Sequence, residues 1–114
     1  MKKIILLFCI ALFFISCNTE PDPLAWLNDM IRDIQRNPSS SCIDQIWEYE
    51  YDGGTVYYFS AGACCDGFNY LYDSEGNQIG VSGGFAGIMT GEMENFLQNR
   101  TNGTIYWERL ILWE

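Results

Sequence analysis

The chain has 114 residues, with 6 Lys+Arg against 15 Asp+Glu, no His and 5 Cys, and a formal charge of −9. That length holds a single domain, the missing histidine removes the usual near-neutral acid–base group, and the acidity disfavours nucleic acid and anionic lipid surfaces as partners. Aromatic residues make up 16% of the chain, which excludes a disordered acidic linker.

Met1-Lys2-Lys3 opens a basic start, followed by an apolar run from Ile4 to Ile15. The run is shorter than the roughly 20 residues that span a bilayer, so it predicts an export signal over residues 1–16. The join Phe14-Ile15-Ser16-Cys17 resembles the lipobox of bacterial lipoproteins. That resemblance implies cleavage before Cys17, acylation of its thiol with palmitate-type chains, and a membrane anchor. Residues 17–22 then read as a lipidated tether and residues 23–114 as one folded domain. Both lysines leave with the signal, so Arg32, Arg36, Arg100 and Arg109 face all 15 carboxylates.

Asp22 before Pro23 reads as a cap and a first helical position. Leu24, Leu27, Met30, Ile31 and Ile34 continue at helical spacing and predict a helix over about 23–36, with Asn28, Asp29, Arg32 and Asp33 facing away. The period then changes. Trp47, Tyr49 and Tyr51 alternate with Glu48 and Glu50, which predicts a strand with one buried and one wet face. The strand returns through Asp52-Gly53-Gly54 to Thr55–Phe59, with Asp52-Gly53 and Gly53-Gly54 both open as the two turn residues. Either register groups Val56 and Tyr58 with Trp47, Tyr49 and Tyr51, and places Tyr57 and Phe59 with Ile46.

Phe68–Tyr72 reads as a third strand, Asp73-Ser74-Glu75-Gly76-Asn77 as a turn, and Gln78-Ile79 as the start of a short fourth. Glycines at 80, 83, 84, 87 and 91 predict an irregular loop over Gly80–Gly91. Thr90 is placed to cap a short helix with Glu92 and Glu94 in its first turn and Met93, Phe96 and Leu97 on one side. Asn102-Gly103 turns the chain into Thr104–Trp113, whose apolar residues on both faces predict a central strand. The sum is an α+β domain, an N-terminal helix packed on a small antiparallel sheet of about four strands.

A fold this small gains from a disulfide, and export permits one. The candidates are Cys42, Cys64 and Cys65. Adjacent cysteines rarely bond each other, so a bridge from Cys42 to Cys64 or Cys65 is expected. A thiolate metal site would need a fourth ligand such as Asp66 at a spacing that matches no zinc pattern, so neither metal nor cofactor is expected. The Asp73–Asn77 segment lacks the length and later Glu of a calcium loop. Gly83-Gly84-Phe85-Ala86-Gly87 has no following Lys to make a phosphate loop. Serine nucleophiles lack a nitrogen base, and Glu48, Glu50, Glu94 and Glu108 are raw material only for a carboxylate-pair hydrolase.

The expectation is therefore a protein that is not an enzyme and that binds a protein or glycan partner. Trp47, Tyr49, Tyr57 and Trp107 form its candidate recognition surface. A structural or inhibitory protein would instead show an exposed edge strand or loop such as Gly80–Gly91, and a hydrolase two acids facing across a cleft.

The hairpin Ile46–Phe59, the unit Cys64-Cys65-Asp66 and the stretch Leu71–Ile79, with its Tyr-Asp-x-x-Gly-Asn pattern, resemble a family of small uncharacterised lipoproteins from Bacteroidota. Members often carry a cysteine just after Gly-Asn-x-Ile, where this chain has Gly80. The resemblance implies a Gram-negative envelope and an outer-membrane location, and no ligand or activity.

Overall fold

The computed structural model describes residues 22–38, 41–62 and 67–109. Helix α1 (Ala25–Arg36) is followed by β1 (Ile43–Tyr51), β2 (Gly54–Ala61), β3 (Phe68–Asp73), β4 (Gln78–Gly83), β5 (Ile88–Gly91), α2 (Met93–Asn99) and β6 (Thr101–Glu108). The strands form one antiparallel sheet in the order β5-β4-β3-β2-β1-β6. Five strands thus meander in chain order, and the sixth returns to the far side of β1. The fold is α+β with the expected N-terminal helix, but the sheet has six strands rather than about four.

The apolar stripe of α1 packs on one face of the sheet. Leu27 and Ile31 are buried with Ile43, Ile46, Tyr57 and Phe59. Ile43 and Ile46 are three apart and would point to opposite faces of a regular strand; a register shift between Ile43 and Gln45 brings both beneath the helix. Asp22 accepts from the Leu24 N–H at 3.0 Å, and the helix starts only after that turn, two residues later than the proline suggested. Trp26 fastens the helix laterally. Its ring lies 5.7 Å from Tyr57 and 5.8 Å from Tyr72, and its indole N–H donates to the Ser74 carbonyl at 3.1 Å.

The opposite face is covered by α2. Met93 and Phe96 are buried with Tyr51, Val56 and Leu71. Tyr51 pairs with Gly54, so the turn is Asp52-Gly53, both residues at positive φ, as a two-residue hairpin loop demands. Trp47, Tyr49 and Tyr51 share a face with Val56 and Tyr58 as read, yet the other face is not wet. Glu48 lies on the α1 side, where the Tyr57 hydroxyl donates to it at 3.1 Å.

Three expectations about the second half are corrected. Gly80–Gly91 is not an irregular loop: it holds the end of β4, a turn over 84–87 and β5. Its glycines permit structure rather than break it, since a Cβ on Gly80 would stand 2.9 Å from the Met93 nitrogen, and Gly83, Gly84, Gly87 and Gly91 adopt positive φ. Thr90 belongs to β5, and α2 starts after Glu92. Strand β6 is an edge rather than a central strand, with Thr101–Ile105 exposed. Asn102 sits inside it at positive φ beside a register shift; residues 110–114 lie outside the described residues.

Candidate functional site

The four candidate recognition residues divide between the two faces. Trp47 and Tyr49 stack at 6.0 Å on the α2 side, and the Arg100 guanidinium stands 5.4 Å over the Tyr49 ring. Gly103 lies directly against that ring, where a Cβ would overlap it. Tyr57 is 3% exposed and belongs to the α1 core, with its pKa pushed up to about 12 by burial and then by its hydrogen bond to Glu48. Trp107, half-buried, also packs against the α1 core. No single aromatic platform unites the four.

The hairpin end carries a polar network. The Tyr51 hydroxyl donates to Glu92 at 2.7 Å and accepts from the Asn95 amide, and the bond to Glu92 leads the causes that raise its pKa. A cleft of about 430 Å³ lies to one side, lined by Glu50, Asp52, Thr55, Asn99 and Thr101. A second of about 290 Å³ includes Asp52, Asp73, Ser74 and Glu92. Asp73 accepts from the N–H groups of Glu75 and Asn77, both at 2.9 Å, and from the Asn77 amide at 3.1 Å. The Asn77 backbone contact leads the causes that lower its pKa, so its carboxylate is occupied by its own turn.

The acids considered for hydrolysis take separate partners: Glu48 accepts from Tyr57, Glu50 from the Asn102 amide and Glu108 from the Gln45 amide, while Glu94 is exposed on α2. Among the described residues there is no group of three or more His, Cys, Asp or Glu placed to hold a metal ion. The described residues form a globular domain without clear catalytic machinery.

The membrane and disulfide expectations are corrected to what the described residues contain. None of their helices is long and apolar enough to cross a membrane, and no disulfide joins two of them. Cys42 is itself disulfide-bonded, while Cys17, Cys64 and Cys65 lie outside the described residues.

Two features were missed at the level of sequence. Arg109, read only as a surface cation, is a clamp. Its guanidinium donates to the carbonyls of Pro38 (3.0 Å), Ser41 (3.0 Å) and Ile43 (2.9 and 3.2 Å), and pairs with Asp44 at 3.4 Å. Those bonds tie the connection before β1 to the end of β6. The second is the β4–β5 hairpin. Phe85 at its turn is 95% exposed, and Phe68, Ile88 and Met89 are also exposed large apolar residues. The Gly84 backbone lies against the Phe68 ring, where a Cβ would be 2.7 Å away, which joins Phe68 to the hairpin. The signal in sequence was present: no charged residue occurs between Glu75 and Glu92.

The profile of a family described as a domain of unknown function (DUF6970) matches residues 32–109, from within α1 through all six strands to Arg109. No curated protein and no solved structure matches. The chain belongs to the DUF6970 family.

Proposed function

We propose that this DUF6970 domain is a non-catalytic protein-binding module of the cell envelope. It is held to a membrane by a lipid on Cys17 and meets its partner through the β4–β5 hairpin. The observation that supports the reading is the exposure of Phe85 beside Phe68, Ile88 and Met89 on a stretch without charge. Contiguous apolar surface on a soluble domain marks an interaction site more often than it marks indifferent exterior. The aromatic residues that suggested a glycan platform go largely into the two cores, which moves the weight from sugar to protein. A location at the outer membrane follows from the lipobox-like junction and from the resemblance to Bacteroidota lipoproteins, and the acidity speaks against nucleic acid as a partner.

The test is a photo-cross-linking residue at position 85 of the full chain in its native envelope. A discrete protein adduct is expected there and none from the same probe at Gln35, an exposed position on α1. Absence of an adduct at position 85, or equal yields at both, overturns the reading. Mass spectrometry of the mature N-terminus checks the anchor separately: an acylated Cys17 is expected, and an uncleaved or unmodified one removes the membrane from the proposal. A second reading rests on the half-buried Trp47–Tyr49 stack with Arg100 above it, the arrangement a sugar ring would use. Glycan binding that is lost on Trp47→Ala would establish it.

A further inference from the structure

We propose that the partner of the hairpin is a second copy of this chain, joined by antiparallel pairing of β5 with β5 so that two sheets become one; the inference rests on the protein-binding reading above. Strand β5 is outermost in the sheet and pairs only with β4, which leaves one row of its backbone N–H and C=O groups facing outward. An antiparallel strand paired with its own copy generates a two-fold axis, the commonest symmetry of soluble dimers.

The two sheet edges differ in the way this requires. Strand β6 is irregular: its register against β1 shifts between Ile46 and Trp47 and again between Glu48 and Glu50, Asn102 is left-handed, and Glu108 adds a charge. Bulges and charges are the devices by which proteins block unwanted pairing at an edge. Strand β5 carries none of them. Its register against β4 is continuous, and its residues Ile88, Met89, Thr90 and Gly91 include no charge and no proline. All four are exposed.

Charge selects the occupant. The whole chain carries −9, so two copies repel each other over most orientations. A basic partner would settle on carboxylate-bearing surface, such as the clefts lined by Glu50 and Asp52 or by Asp73 and Glu92. The β5 edge offers such a partner nothing, whereas it gives an equally acidic chain a contact free of like charges. In the paired arrangement Ile88 and Thr90 of each copy lie on one face of the joined sheet and Met89 on the other, because successive side chains alternate. Phe85, at the turn, then reaches beyond the end of the paired strands. A four-residue strand makes a contact smaller than a standard interface, so the dimer is transient and is best captured covalently.

Two copies of the full chain bearing different epitope tags are expressed together, each with a photo-cross-linking residue at position 85. The expected product carries both tags. Thr90→Lys, an exposed change that places like charges across the two-fold axis, is expected to lower its yield about tenfold, and Thr90→Ser to leave it intact. Adducts carrying one tag and another protein would overturn the dimer while leaving the protein-binding reading standing; no adduct at all would overturn both. A doubly tagged product whose yield Thr90→Lys does not change would overturn the strand pairing.

Discussion

The two faces of the sheet are covered by helices of unlike character. On one side α1 has twelve residues and a continuous apolar stripe that carries Leu27 and Ile31 into the core. On the other, α2 has seven residues, too few to persist as a helix alone, and it is held by what it touches. Phe96 meets Tyr49 and Tyr51 edge-on at 5.2 and 5.7 Å and stacks with Tyr58 at 5.6 Å. The first layer is thus written in local periodicity, whereas the second exists only because distant strands gather rings around one phenylalanine.

The difference is open to measurement, and the largest effect belongs to the hub. Phe96→Ala is expected to cost about 4 kcal/mol in urea unfolding, because a buried ring in contact with three others leaves a cavity that a short helix cannot close. Leu27→Ala removes a smaller side chain from the better-supported layer, and about 3 kcal/mol is expected from the same experiment. A larger loss for Leu27→Ala than for Phe96→Ala would invert the comparison. Gly103→Ala pushes a methyl into the Tyr49 ring and should cost about 2 kcal/mol, with altered tyrosine near-ultraviolet dichroism. A neutral result would show that Tyr49 is free to move off β6.

The smallest effect is a pH dependence on the α1 side. The Tyr57 pKa lies at about 12 in the fold, above the ordinary 10.0, so the folded state holds the phenolic proton more tightly than the unfolded chain does. Its contribution is complete below pH 10 and is lost as the pH rises from there through 12. Tyr58 on the other face shifts the same way, chiefly through burial. Alkaline denaturation should therefore begin later than ordinary tyrosine ionisation in an absorbance titration, and Tyr57→Phe should flatten that limb. An unchanged limb would mean that Tyr57 ionises without reference to folding.

Local pattern made α1 and the β1–β2 pairing legible: a helical stripe, an alternation and a two-residue turn each depend on neighbours in sequence. The alternation misled only at Glu48, because a carboxylate beside a tyrosine hydroxyl can lie on a covered face. Gly80–Gly91 was read as a loop because glycine signals a break unless a neighbour requires the close approach, and for Gly80 that neighbour is Met93 on another element. Strand β6 was read as central because its composition suits burial, but whether a strand lies at an edge is decided by topology. The aromatic candidates were visible as residue types, while their division between two faces depended on register and on the position of α2. The hairpin patch was visible only as missing charge.

The attachment of β6 also sets an order of events. Strands β1 to β5 pair in sequence through short connections, so each can form soon after its predecessor. Gln45 and Glu108, by contrast, are 63 residues apart, and that pairing carries a larger loop-closure cost. During synthesis β1 is among the first strands made, yet it waits for nearly the last described residues before its outer side is covered. Arg109 then closes the arrangement by holding the segment just before β1. A chain halted near Arg100 would present β1, with its alternating aromatics, as an open edge, and so would combine a nearly complete sheet with the exposed strand that favours misassembly.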